Sequence, residues 1–505
     1  MNFNVELAKA GIKKPLNNLG TVLSSFYSTI GSAKNKATFA AAITAQSCKV
    51  AMVGHSVMFG GNQNFYGATV YNLLRNALKT AFPETVFTFN NFAIGGTSAG
   101  QFVTTHPAIT IGAISNLTYR ESFEATTTSL ALTTNSSWRN AVAAYQPDLL
   151  FIQFDLNETS YQTFATNLQA IIDDVNTNAA WSAKRPTMVL ITSHVGVTNG
   201  AITTAIVRNC HKVIRSMASK NKIALIDAGR VYDILTLATD PYNITPAVTG
   251  ELNQLGRMIA NTVLPSTDYD SKIGTAYWTS ALTLREQSSG SALRFYRKVS
   301  TVNGAAQCNV TTNTASTTPS LFYRADPLDA NYATGTGRQY ELRITGTTVQ
   351  VYYWVAGSAV AVTAAITTLT NGVGVNTVFT MRAEFADAKH KITIIAPNNE
   401  LKTFEFIDFQ NLDGGYIGFG YGGSSGGWFN SGAIGSLSSG FVLEFWNSLP
   451  VGSAAYHDSD LLNTTNDWSS NPNSLGGNGV NHLTNLGYKV IYEPAIVNCL
   501  HQLQV

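Results

Sequence analysis

The sequence predicts an α/β domain, with a parallel sheet covered by helices, into which an all-β domain is inserted. Three observations carry this expectation. From residue 46 to about 265, short apolar runs alternate with amphipathic helical stretches. From 266 to 446 helical periodicity is gone, and alternating runs such as Gln339–Ile344, Val349–Val355 and Val378–Phe385 follow one another with turn residues between them. Near the end, residues 485–500 return to a helical pattern, so residues 447–505 rejoin the first domain.

The elements follow in order. Residues 1–45 are rich in Ala, Ser, Thr and Asn and include Lys13 and Lys14; they read either as an attachment arm or as an extra helix on the first domain. Val50–Val53 is a buried-strand run that stops at Gly54, and Tyr66–Phe82 has helical spacing. Val86–Phe92 is a second strand, and residues 100–135 read as an elaborated loop. A helix over Ser137–Tyr145 leads to the strand Pro147–Phe154, and then a helix over Tyr161–Asn176 leads to the strand Thr187–Thr192. A helix over Ile202–Ser219 and the strand Ile223–Asp227 complete the series. Continuous apolar strands separated by helices indicate a parallel sheet buried on both faces. In the β region, Phe385–Lys391 reads as a hairpin, and Pro494 is expected to kink the last helix.

At 505 residues the chain exceeds one typical domain. A formal net charge of +2 without a basic run gives no reason to expect a nucleic-acid partner. The four cysteines, Cys48, Cys210, Cys308 and Cys499, are scattered, which indicates neither a zinc site nor a disulfide framework. No run reaches the 18 apolar residues of a membrane span, and the N-terminus has no signal-peptide pattern. Synthesis in a cytoplasm is therefore expected, with any extracellular action reached by another route.

Three strand ends and one distant loop offer chemistry. Ser56 follows Gly54 in a strand-to-helix turn, where it serves either as a helix cap or as a nucleophile. Gly95 and Gly96 let backbone approach a ligand and present an N–H. Asn157 brings an amide donor, and His482 stands in a loop before the last helix, where an imidazole can act as a base. Strand ends of a parallel sheet are where open α/β domains bind ligands.

Four blocks in order, Gly54-His55-Ser56-Val57, Asn91 to Thr97, Pro147-Asp148 through Asp155-Leu156-Asn157-Glu158, and residues 478–487, resemble the SGNH (GDSL-like) hydrolase superfamily. The likeness spans about 45–265 and 447–505. It implies a serine esterase without metal or organic cofactor, with Ser56 as nucleophile and His482 as base. The oxyanion donors it implies are the N–H groups of Ser56 and Gly96 and the Asn157 amide. Departures are visible. His55 stands where the family has aspartate, and Asp155 and Glu158 where it has Gly and Asp. The aspartate expected before the histidine is replaced by Asn478 and Gly479. A Ser56–His482 dyad, an orienting role for Asn478, or a carboxylate from Asp458, Asp460 or Asp467 are the alternatives, beside a site that only binds.

His55 reads as a turn residue, His194 as a pocket residue and His211 as a packing residue. Tyr416, Phe419, Tyr421, Trp428 and Phe429 read as sandwich core or as a sugar-stacking face. The inserted domain resembles lectin-like, concanavalin-type jelly rolls. With the polar, weakly charged composition, the whole is similar to bacteriophage tailspike or tail-fibre deacetylases. That implies an O-acetylated capsule or O-antigen polysaccharide as substrate and a virion location. It also implies a homotrimer attached through the N-terminal arm, with no membrane insertion. Rival expectations are a GDSL-type lipase or thioesterase and a glycan-binding adhesin.

Overall fold

A computed structural model divides the chain into two compact units, Met1–Asn243 with Leu449–Val505, and Ile244–Ser448. In the first it describes residues 36–60, 69–103, 138–196, 200–237, 461–462 and 481–503. In the second it describes a set of strands, with side chains chiefly over 318–325, 338–355, 358–374 and 377–414.

The first unit is built on five parallel strands, β1 (Ser47–Gly54), β2 (Val86–Asn91), β3 (Leu149–Gln153), β4 (Thr187–Thr192) and β5 (Ala224–Asp227), in the order β2-β1-β3-β4-β5. Every residue of β3, β4 and β5 is buried, which is why their sequences are unbroken apolar runs. Alternate residues Val50 and Met52, Leu149 and Phe151, Val189 and Ile191 join one core with Leu74 and Leu78, Val231, Ile491 and Ile496 from three helices. The intervening Ala51, Val53, Leu150, Ile152, Met188 and Leu190 are equally buried, so helices cover the opposite face as well. The α/β/α layering expected from the sequence is present.

Local chemistry sets the element ends. The helix Val70–Ala81 starts where the Thr69 hydroxyl accepts the Asn72 N–H, later than the predicted Tyr66. The last helix, Asn485–Leu503, continues through Pro494. From it, the Gln502 amide accepts the Leu225 N–H at 2.9 Å and donates to the Leu225 carbonyl at 3.2 Å, which satisfies the open edge of β5. Within 1–45, the helix Ala37–Thr44 is part of the first unit rather than a free arm. Its Phe39 is fully buried, packs edge-on against Phe82, and donates its N–H to Thr187 Oγ1. Residues 1–35 lie outside the described residues.

In the second unit the strands form two antiparallel sheets. One orders Ser358–Thr368, Thr348–Val355, Gln339–Thr345 and Pro319–Ala325 side by side. The other places Glu400–Ile407, Lys389–Ala396, Thr377–Ala386 and Gly304–Thr312 together. Tyr323 of the first sheet stacks on Phe385 of the second at 5.3 Å, so the sheets meet face to face. The expected hairpin closes through Asp387 and Ala388, with Asp387 at φ 49°. The unit boundary falls at 243/244, not 265/266, and on return at 448/449 rather than 446/447. The helical series ends at Leu237, and the next element, Thr239–Glu251, is a strand whose Pro241 and Pro246 mask it in the sequence.

Candidate active site

Four strands of the parallel sheet end at one edge, and each delivers part of a site. Past β1, the chain bends at Gly54, where a Cβ would lie 2.3 Å from the Gln153 carbonyl oxygen, so only glycine lets β1 approach β3 there. The His55 N–H donates to that carbonyl, and His55 Nδ1 then accepts the Val57 N–H at 3.2 Å, capping the short helix Ser56–Phe59. This cap frees Ser56 from the capping role that its position allowed. The Ser56 hydroxyl faces His482 Nε2 at 2.9 Å, across 426 residues of sequence.

His482 is 6% exposed, and burial, then the charge of His55, pushes its imidazole down to about 3. It is neutral at ordinary pH, so with its proton on Nδ1 it accepts from the Ser56 hydroxyl. The next loop residue back, Asn481, has its carbonyl held by His194 Nε2 at 3.0 Å. His194 is fully buried between Tyr232, Tyr488 and Tyr492, and burial lowers it to about 3, so this nitrogen donates as a neutral tautomer.

Past β2, Gly96 adopts φ 75°, the left-handed region that favours glycine, although a Cβ there would meet nothing within 4 Å. Its neighbour Gly95 borders Ser56, whose Cβ is 3.8 Å from where a Cβ on Gly95 would stand. This loop is pinned from both sides. The Ile94 N–H donates to the Gly54 carbonyl at 2.9 Å, and the Asn157 amide donates to the Thr97 carbonyl at 3.0 Å. Glu158 accepts the Ala99 N–H at 2.7 Å. Burial, eased by that hydrogen bond and reinforced by the charge of Asp155, raises the Glu158 carboxyl to about 7. One amide N–H of Asn157 is thus used by the loop, which leaves the second for a ligand.

Ser56 and His482 therefore meet, with Gly96 and Asn157 on adjoining strand-end loops that are bonded to each other. Asn478, Asp458, Asp460 and Asp467, the orienting candidates, lie outside the described residues, as do the side chains of Tyr416, Phe419, Tyr421, Trp428 and Phe429.

The sequence did not announce the polar cluster beneath Ser56. Asp155, 0% exposed, faces His55 Nε2 at 3.2 Å and accepts both the N–H and the hydroxyl of Ser193, at 2.6 and 2.5 Å. His211 Nε2 lies 3.0 Å from its other oxygen, close enough for a charge interaction but outside hydrogen-bond geometry. Burial opposes charge on Asp155, yet contacts from His211 and His55 outweigh it and hold the carboxyl well below the usual carboxylate range. The available signal was the pair of motif departures, a histidine gained at 55 and an acid gained at 155, which are partners in space.

No protein-family model matches this chain, and no curated protein matches it. Among solved structures it is similar to a two-domain esterase active on acetylated mannans, over 87% of this chain and 97% of that one, at 12% identity and a TM-score of 0.25. It is also similar to an acetyl-xylooligosaccharide esterase from Geobacillus, over 39% of this chain and 84% of that one, at 12% identity and a TM-score of 0.25. Peanut lectin matches 40% of this chain over 99% of its own, at 11% identity and a TM-score of 0.27. The chemistry of the site rests on its own distances.

Proposed function

We propose that the protein is a serine esterase that removes O-acetyl groups from a polysaccharide. The observation that carries this reading is the 2.9 Å contact between Ser56 Oγ and a neutral, buried His482 Nε2 at the ligand-binding edge of the sheet. Ser56 Oγ attacks the acetyl carbonyl carbon while His482 Nε2 takes the hydroxyl proton. The oxyanion is held by the N–H groups of Ser56 and Gly96 and the free N–H of Asn157, each fixed donor being worth about 3 kcal/mol. Collapse breaks the ester bond, and the sugar oxygen leaves with the proton from His482. Water then attacks the acetyl-enzyme, His482 again accepts the proton, acetate departs, and Ser56 is restored.

The acetyl and glycan assignments draw on the lectin-like character read for the inserted β unit and on the polar, weakly charged sequence. In this reading the protein is a phage tailspike or tail-fibre deacetylase acting on capsule or O-antigen. It is a homotrimer on the virion, attached through its N-terminal segment. The test is acetate release from O-acetylated bacterial polysaccharides, run beside chromogenic esters of increasing acyl length. Activity confined to acetyl supports the proposal. A preference for long chains replaces it with a lipase or thioesterase, and retention of glycan without turnover replaces it with an adhesin.

A further inference from the structure

A carboxylate sealed beneath a nucleophile calls for a reason, because burying a charge costs several kcal/mol unless donors surround it. Around Asp155 the donors come from two different sides of the site. On the nucleophile side, His55 is covalently next to Ser56. Its Nδ1 accepts the Val57 N–H, so its proton sits on Nε2 and points at Asp155 Oδ1, 3.2 Å away. On the base side, Asp155 accepts the N–H and the hydroxyl of Ser193. Ser193 is followed in the chain by His194, whose Nε2–H holds the Asn481 carbonyl at 3.0 Å, and Asn481 is followed by His482. His482 closes the path on Ser56 at 2.9 Å.

We propose that Asp155 is a positioning residue that joins the nucleophile arm and the base arm into one closed circuit of hydrogen bonds and chain neighbours, Ser56–His55–Asp155–Ser193–His194–Asn481–His482–Ser56. The proposal deepens the esterase reading and rests on it for the roles of Ser56 and His482. No hydrogen bond in the circuit exceeds 3.2 Å, and His55, Asp155, Ser193 and His194 are all 0% exposed. Water therefore does not compete for the bonds that join His55, Asp155 and Ser193, and rearrangement at Asp155 is transmitted to both ends. The circuit also gives the two motif departures a common purpose. The histidine at 55 carries the donor that the acid at 155 accepts.

An ionised carboxylate offers acceptors only, whereas an amide offers one acceptor oxygen and two donors. Asp155→Asn thus sets an N–H₂ against at least one of the converging donors, and one arm has to let go. A misplacement of about 1 Å at a reacting group costs about 10²-fold in rate. The expected result for Asp155→Asn is kcat on a chromogenic acetyl ester lowered about 10²-fold with KM within about two-fold. Unchanged kcat in the folded variant overturns the proposal, since a carboxylate that only stabilises the fold lowers the melting temperature and leaves the turnover of folded molecules alone.

If Asp155→Asn does not fold, His55→Leu and His194→Phe each cut one arm. Linked arms give a double variant little worse than its worse single variant, whereas multiplied losses show independent arms and overturn the proposal. If the wild type hydrolyses no ester, the esterase reading fails by itself, and crystal structures of whichever variant folds still decide the circuit. Separation of Ser56 Oγ from His482 Nε2 beyond hydrogen-bond reach in the variant supports it, and a pair kept at the wild-type distance overturns it.

Discussion

Each unit of the protein buries a charge completely, Asp155 in the first and Arg324 in the second, and the two are accommodated differently. Asp155 stands just past β3, with donors from the ends of β1 and β4 and a histidine of a helix, His211, beside it. Arg324 lies inside the strand Pro319–Ala325 at φ 46°. Its guanidinium donates to Asn303 Oδ1 at 3.3 Å and to the Asn411 carbonyl at 3.4 Å, and sits 5.4 Å above the Phe385 ring. The Asn411 amide returns a bond to the Arg324 carbonyl at 2.6 Å. The charge at the strand end is bonded to His55, the chain neighbour of Ser56, and to Ser193, whereas the charge within the sandwich ties a loop to a strand. Under the proposed mechanism the first arrangement bears on reactivity and the second on stability.

The largest contrast comes from Arg324→Leu. It strands the buried Asn411 carbonyl, at a cost of about 1–3 kcal/mol, and removes the packing of the guanidinium on Phe385. Urea unfolding should show a loss of about 3 kcal/mol while kcat on a small acetyl ester stays within about two-fold. A matching loss of turnover in folded protein would break the distinction between the two charges. Next comes Asn157→Ala, which removes the proposed oxyanion donor and a loop clamp together; kcat should fall about 10²–10³-fold, near 3 kcal/mol, with the melting temperature little changed.

Glu158 sharpens the comparison through pH. Its folded pKa is raised to about 7 from an ordinary 4.5, so between these values the folded state holds a proton that the unfolded chain has lost. Stability therefore falls as pH rises through that window, by about 3 kcal/mol once above it. Glu158→Gln should be more stable than wild type at pH 8 and should lose that advantage below pH 4.5. Equal pH dependence in the two proteins would contradict this.

The buried histidines give the smallest effect and the opposite sign. His194 is held down to about 3 by burial and by the charge of His482, and burial, then Arg324, keeps His390 of the second unit well below its usual range. Each is neutral when folded and takes up a proton when unfolded below about pH 6.5, so its contribution is complete above 6.5 and lost as pH falls. At pH 5 the loss for His194 is about 2 kcal/mol. His194→Phe and His390→Phe should each flatten the acid limb of stability, but only His194→Phe should lower kcat.

How far the sequence announced this structure depends on distance along the chain. The strands β3 to β5 and the second half of β1 were legible because a strand buried on both faces has to be a nearly unbroken apolar run, whereas β2, at the sheet edge, alternates exposed and half-buried residues. The strand Thr239–Glu251 was not, because two prolines and polar residues hide its pattern. The helix Ala228–Leu237 was missed because it follows β5 with no intervening loop. Ser56, Gly96, Asn157 and His482 came from block order rather than from periodicity. Asp155 was seen only as a departure, since its value depends on partners 38 and 100 residues away that meet it solely through strand order. Contacts of that kind are set by sheet topology, and no local pattern encodes them.

Every step of the chemistry requires Ser56 and His482 to act together. The most direct measurement is hydrolysis of a chromogenic acetyl ester by the wild type, Ser56→Ala and His482→Ala, each verified as folded. Turnover in the wild type, with kcat reduced at least about 10³-fold in both variants, is the predicted result. Activity that survives Ser56→Ala would show that the 2.9 Å pair is not the reacting pair and would contradict the proposed mechanism.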